Sequence, residues 1–347
     1  MKESFELKHS ISIKKNLNSG IDILKVILTF LILVCHLINQ NLLDNKTKKI
    51  LIEIVPFYFS TSLVIFFYFS YNIFSFRNIS QIKLRFLRII IPYIFWPLIF
   101  SVLHIISYDK RIKMNNLLRD LYIQLIIGRR IYFVFWFQFN LIIICFIISI
   151  IILTFKKSFL YIFQIMLIFA YIFEYFGISK KILENYNEDI KGSIGRTFKM
   201  ILFALTGFLL SSIKILNNLK NNKMKSIFLS IFTFVLMICI KIYFSEYYFL
   251  EGIFLILGST SLMIFFAFLP LNKITNMSII FLIKQSTSYT AGVYYLHIRV
   301  QKYFKDSVIM MRDGSLIGCA LNYLICYCIC FCGMKLFGKT IFKYLFI

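Results

Sequence analysis

The sequence predicts an all-α, polytopic integral membrane protein with about ten transmembrane helices in one bundle. Three observations predict it. Of 347 residues, 60% are hydrophobic, where a soluble domain holds roughly 45–50%. Apolar runs long enough to cross a bilayer recur along the whole chain. The 39 lysines and arginines, which leave a net charge of +24, crowd into the short connections between those runs and mark membrane interfaces. No basic domain can be separated from the apolar segments. Nucleic acid is therefore excluded as a partner, and the basic residues are free to meet anionic lipid or phosphate groups.

Residues 1–19 form a polar tail carrying Lys2, Lys8, Lys14 and Lys15. Residues 20–347 then read as a single transmembrane domain without internal repeats. The spacing predicts spans at about Ile21 to Asn39, Leu51 to Phe76, and Ile89 to Ser107, where Pro92 and Pro97 should kink the helix or delay its regular start. A basic connection containing Arg77, Lys83, Arg85 and Arg88 precedes that third span. Residues 108–130 surround a short amphipathic run expected to lie along the surface. Further spans follow at about Tyr132 to Phe155, Phe159 to Phe176, Phe198 to Leu216, Ile227 to Phe244, Phe249 to Leu269, Ser286 to Phe304 and Ser315 to Leu336, before a basic tail. The longest polar insertion is 177–197.

An even number of spans puts both termini on one side. Lysine and arginine divide equally between the two sets of connections, so charge alone does not orient the chain. The longer loops lie opposite the termini and count for less, which places the termini in the cytoplasm. No cleavable signal peptide is evident, because the first twenty residues are polar and the first apolar run lacks a small-residue cleavage site. Among the eight cysteines, Cys326, Cys328, Cys330 and Cys332 alternate along one helix and so split between its faces. They cannot converge on a metal, and they read as small apolar fillers.

The first span carries Asp22, Lys25 and His36. Such groups inside a membrane helix cost on the order of 2.5–3.5 kcal/mol each, which makes them functional candidates. Lys25 and His36 are about three turns and roughly 16 Å apart on one helix face. Asp22 lies one turn before Lys25, where it can neutralise the lysine. The plainer alternative makes Asp22 and Lys25 the interfacial start of the helix, with the lysine snorkelling.

Arg85 and Arg88 begin the run Arg-Phe-Leu-Arg-Ile-Ile-Ile-Pro-Tyr. Two guanidinium groups at a helix start suit phosphate, which accepts their forked hydrogen bonds; an interfacial basic turn is the alternative. Phe66-Phe67-Tyr68-Phe69-Ser70 is an aromatic run ending in a hydroxyl. Trp136-Phe137 opens the fourth span, and Thr290-Ala291-Gly292-Val293-Tyr294-Tyr295-Leu296-His297 lies in the ninth. Tyr294 and His297 share a helix face. His9 and His104 belong to no pattern.

In their order, these patterns resemble the acyltransferase-3 family of membrane acyl transferases. The resemblance rests on Gly-x-Asp-x-Leu-Lys with a histidine eleven residues after the lysine, the Arg-x-x-Arg before a proline, the aromatic run ending at Ser70, Trp136-Phe137, and the Gly292, Tyr294 and His297 segment. The sequence departs from the family at Tyr71, where glycine is usual, and at Ala291, which replaces a tyrosine. The resemblance implies transfer of an acyl group, typically acetyl, from acyl-CoA to a hydroxyl of a surface polysaccharide or its lipid-linked precursor, at the plasma membrane and with cytoplasmic termini. Acyl-CoA would be a co-substrate, with no tightly bound cofactor and no metal.

On that reading His36 is the catalytic base, Lys25 and Asp22 share its site, and Arg85 and Arg88 hold the phosphates of the donor. Ser70, Trp136, Tyr294 and His297 support them. An imidazole suits the role because it ordinarily titrates near pH 6.5 and in its neutral form accepts a proton. Whether His36 deprotonates the acceptor or first takes the acyl group itself stays open. The rival class is a transporter or flippase for lipid-linked glycans, which would favour repeated halves with broken helices; no repeat is visible.

Overall fold

A computed structural model describes residues 20–36, 60–61, 63–65, 79–107, 114–128, 135–155, 158–175, 188–210, 219, 221–243, 248–269, 277–304 and 315–346. All regular structure among them is helical. The chain divides into two compact units, one from residues 1–65 and 210–332, the other from 66–209 and 333–347. Four described helices contain stretches long and apolar enough to cross a bilayer: Ile82–Leu103, Trp136–Phe155, Lys223–Ile240 and Leu316–Phe337. Phe159–Ile172 and Ile253–Phe268 are shorter apolar helices.

The first unit begins with α1, over 20–36. Leu24 and Leu28, one turn apart on one stripe, are completely buried, and so is Leu33, which lies half a turn round from Leu24, so α1 is packed on more than one side. Gly20 starts this helix against the Phe266 carbonyl, and any Cβ there would overlap that oxygen. Ser60 and Ser259 share a 2.6 Å hydrogen bond that pins the segment around residue 60 to the helix carrying Ser259. Helices α7 (Lys223–Tyr243) and α8 (Tyr248–Phe268) form an antiparallel pair. The outer side of α7 presents Phe228, Leu229, Phe232 and Val235 as exposed apolar side chains, a surface suited to lipid.

The expected span from Ser286 to Phe304 is instead the end of one helix and the whole of another, α9 (Met277–Ser288) and α10 (Thr290–Phe304). The break at Tyr289 follows from the hydroxyl-rich run around it. Thr287 Oγ1 donates to the Ile283 carbonyl, Ser288 Oγ to the Lys284 carbonyl and Thr290 Oγ1 to the Thr287 carbonyl. Such side chains compete for backbone groups and loosen a helix. The Tyr289 N–H tightens to an i−3 bond with Ser286 before α10 begins. The last long helix is α11 (Leu316–Phe337). Its cysteines split as their alternation predicts, Cys326 and Cys330 buried, Cys328 and Cys332 exposed, all as free thiols.

The second unit contains α2 (Ile79–Ser107), α3 (Met114–Ile127), α4 (Trp136–Phe155), α5 (Phe159–Tyr175) and α6 (Glu188–Leu210). Pro92 and Pro97 do not delay the start of α2, which begins ten residues earlier than the apolar pattern predicts. Nothing in Ile79 to Leu84 breaks a helix, and basic residues are good helix formers. Helix α6 likewise starts within the polar insertion, at Glu188.

The short amphipathic helix α3 ends at Gly128, whose φ of 75° is the left-handed cap conformation that favours glycine. The Gly128 N–H bonds the Gln124 carbonyl, while the Tyr93 hydroxyl reaches the Gln124 and Leu125 carbonyls at 2.8 Å. The helix end is thus tied to α2. The residues read as a basic tail form a 3₁₀ turn, Ile341–Leu345, capped by Thr340. Tyr344, Leu345 and Phe346 are buried, and Trp96 Nε1 donates to the Leu345 carbonyl at 3.0 Å.

Candidate active site

In the first unit, α1 and α10 bring two imidazoles together. His36 and His297 lie with ring centroids 5.5 Å apart and planes 20° from parallel. His36 is partly exposed and His297 is completely buried. The Tyr294 ring lies against His297 at 5.9 Å, as their one-turn spacing predicts.

His297 Nδ1 is 2.6 Å from the Tyr294 carbonyl oxygen. A carbonyl oxygen can only accept, so Nδ1 carries the hydrogen and Nε2 carries the lone pair. Nε2 is buried and has no hydrogen-bond partner among the described residues. An unmet buried acceptor costs about 1–3 kcal/mol.

The backbone around His297 is fixed from α11. Asn322 is completely buried; its Nδ2 donates to the His297 carbonyl at 2.8 Å and to Gln301 Oε1 at 3.4 Å. Its Oδ1 accepts from Cys326 Sγ at 3.3 Å. Sequence reasoning missed Asn322. The available signal was an amide in an otherwise apolar span, where a polar side chain serves as a bond between helices. Arg299, also buried on α10, was missed for the same kind of reason.

Asp22 and Lys25 pair at the other end of α1, 3.7 Å apart. Both are mostly buried, with side chains 15% and 20% exposed. Thr29 Oγ1 donates to the Lys25 carbonyl, and Thr287 Oγ1 to the Asp22 carbonyl. Hydroxyls thus hold the first turns of α1 in place, one of them supplied by α9.

The remaining predicted site residues belong to the second unit or lie outside the described residues. Ser70 lies outside them, as does the side chain of Arg85; Arg88 is exposed on α2. The expectation that the two arginines occupy a connection at a helix start is corrected, because α2 begins at Ile79 and places them in its second and third turns. Backbone N–H groups there are already committed to the helix, so no helix-end dipole assists them. Trp136 is buried at the start of α4, with the Arg196 guanidinium carbon 4.5 Å from its ring centroid. The polar character of its neighbours is structural. Gln138 Nε2 donates to the Ile89 carbonyl at 3.0 Å, next to the carbonyl of Arg88 that loses its usual donor to Pro92, and Asn140 Oδ1 accepts from Thr197 at 2.6 Å.

Residues 18–344 match the family model described as an acyltransferase domain, Acyl_transf_3. The chain belongs to the acyltransferase-3 family. The match takes in both compact units and every predicted site residue, and it makes the protein a membrane acyltransferase. Neither a search of curated proteins nor one of solved structures returned a match. No group of three or more histidine, cysteine or acidic side chains able to hold a metal occurs among the described residues of the acyltransferase.

Proposed function

We propose that this acyltransferase moves an acyl group, acetyl in the first instance, from acyl-CoA to a hydroxyl of a cell-surface polysaccharide or its lipid-linked precursor. The observation that carries the reading is the imidazole pair of His36 and His297 on helices of a membrane acyltransferase. Acyl transfer to a hydroxyl needs a base where the nucleophile loses its proton. His36, the partly exposed member of the pair, fills that role. Lys25, paired with Asp22 in the first unit, is offered to the phosphates of the donor; Arg85 and Arg88, in the second unit, are a separate candidate for that role.

On this reading the chain lies in the plasma membrane with about ten spans and cytoplasmic termini. The donor binds from the cytoplasmic side and its thioester extends toward His36. The roughly 16 Å along α1 between Lys25 and His36 is within the reach of an extended pantetheine arm. His36 takes the proton of the acceptor hydroxyl as its oxygen attacks the thioester carbonyl, then returns the proton to the departing thiolate.

Mass spectrometry of surface glycans and glycolipids from cells with and without the intact gene tests the reaction. The expected result is a mass difference of one acetyl unit on a glycan, or of one larger acyl group such as succinyl. Identical glycan and glycolipid masses in the two strains would overturn the reading.

A further inference from the structure

His297 Nε2 is a buried acceptor with no donor among the described residues, and the ring beside it is that of the proposed base. We propose that His297 is a positioning residue for His36: its Nε2 accepts a hydrogen bond from the His36 imidazolium that forms only when His36 takes the proton of the acceptor hydroxyl. The proposal rests on the acyl-transfer reading above.

The geometry supplies both halves of the device. Tyr294, through its carbonyl, fixes the tautomer of His297, so that the hydrogen resides on Nδ1 and the lone pair on Nε2. Asn322, through its 2.8 Å bond to the His297 carbonyl, fixes the backbone that carries the ring. The two rings are neighbours, 5.5 Å between centroids and 20° between planes, and the proposed bond forms when the His36 side chain turns one of its N–H groups toward Nε2. A neutral His36 has a single N–H, whereas the imidazolium has two and is the stronger donor. The unmet acceptor therefore disfavours the resting state and is satisfied once charge develops on His36. An interaction stronger in the transition state than in the ground state is what raises a chemical rate.

The proton balance is complete within the pair and the substrates. The hydroxyl oxygen bonds to the thioester carbonyl carbon and its proton passes to His36. His297 holds the resulting imidazolium through Nε2 without taking the proton. When the carbon–sulfur bond breaks, the proton passes from His36 to the thiolate, leaving an ester, a free thiol and two neutral imidazoles.

Two substitutions separate this role from simple packing. His297→Asn places an amide nitrogen near the position of Nδ1, keeping a donor for the Tyr294 carbonyl, while its amide oxygen falls short of the position of Nε2. His297→Gln extends an amide oxygen to the level of Nε2, restoring an acceptor. Transfer is measured as radiolabel passing from acetyl-CoA, and in parallel from succinyl-CoA, into glycan of membranes from the native cell that carry each variant. Binding of the same donors to purified protein and its thermal unfolding are followed alongside.

The maximal rate should fall on the order of 10- to 100-fold in His297→Asn, the worth of a charged hydrogen bond. His297→Gln should recover most of it, and donor binding should be unchanged in both. A rate in His297→Asn equal to or above that of His297→Gln, or a loss confined to donor binding, overturns the proposal. So does a rate that simply follows thermal stability across the two variants. If the unaltered protein transfers label from neither donor, the acyl-transfer reading itself fails, and the proposal with it.

Discussion

Replacing Asn322 by leucine removes the clamp on His297 while keeping the same branched arrangement of heavy atoms. The amide makes one well-formed bond to the His297 carbonyl at 2.8 Å, a longer one to Gln301 at 3.4 Å, and a weak one from the Cys326 thiol. The His297 carbonyl keeps its place in the α10 backbone ladder, so no acceptor is stranded. One neutral hydrogen bond contributes about 1 kcal/mol net and the two weaker contacts add little, giving a total of about 1–1.5 kcal/mol. If that energy restrains the His297 ring against misplacement, its loss lowers the productive fraction by about 5- to 10-fold. The assay is label transfer from acetyl-CoA into membrane glycan, with donor affinity and thermal unfolding measured on the same preparation. The expected outcome is a rate about 5- to 10-fold lower, donor affinity unchanged and a modest fall in unfolding temperature. A rate equal to that of the unaltered protein, at a confirmed loss of stability, would refute the clamp as a determinant of the imidazole pair.

Three further outcomes are expected. Lys25→Ala should weaken donor binding or disorder the site by removing the 3.7 Å partner of the mostly buried Asp22, while Lys25→Arg keeps part of the activity because the charge survives; equal behaviour at saturating donor would make the lysine merely interfacial. Gly20→Ala should destabilise the first unit by about 1–3 kcal/mol, because its Cβ overlaps the Phe266 carbonyl, and an unchanged unfolding temperature would contradict that packing. Arg85→Lys and Arg88→Lys should each raise the apparent constant for acyl-CoA, since a point charge cannot reproduce a bidentate fork; variants that bind the donor as well as the unaltered protein would leave the arginines as a topology signal and favour a flippase.

The parts of the site that sequence made legible are those where chemistry conflicts with its surroundings. Asp22, Lys25 and His36 stand out because ionisable groups are costly in an apolar helix, and the Asp22–Lys25 pair follows from helix spacing alone. The proximity of His36 to His297 does not, because it depends on how α1 and α10 pack. Asn322 escaped notice among leucines and cysteines, although an amide in such a run has to find a partner. The break at Tyr289 was hidden by mean hydropathy, which does not register that Ser286 to Thr290 is a run of hydroxyls competing for backbone carbonyls. The early start of α2 was obscured because lysine and arginine serve equally as helix formers and as interface markers. Of about ten spans in the sequence pattern, four are matched among the described residues by helices long and apolar enough to cross a bilayer.

The central claim is tested most directly by label transfer from radiolabelled acetyl-CoA to membrane glycan in the unaltered protein and in His36→Ala. Insertion into the membrane and acetyl-CoA binding are measured on both. The account predicts that His36→Ala inserts and binds the donor normally, yet transfers no label. Normal transfer by a His36→Ala protein expressed at equal level would contradict it.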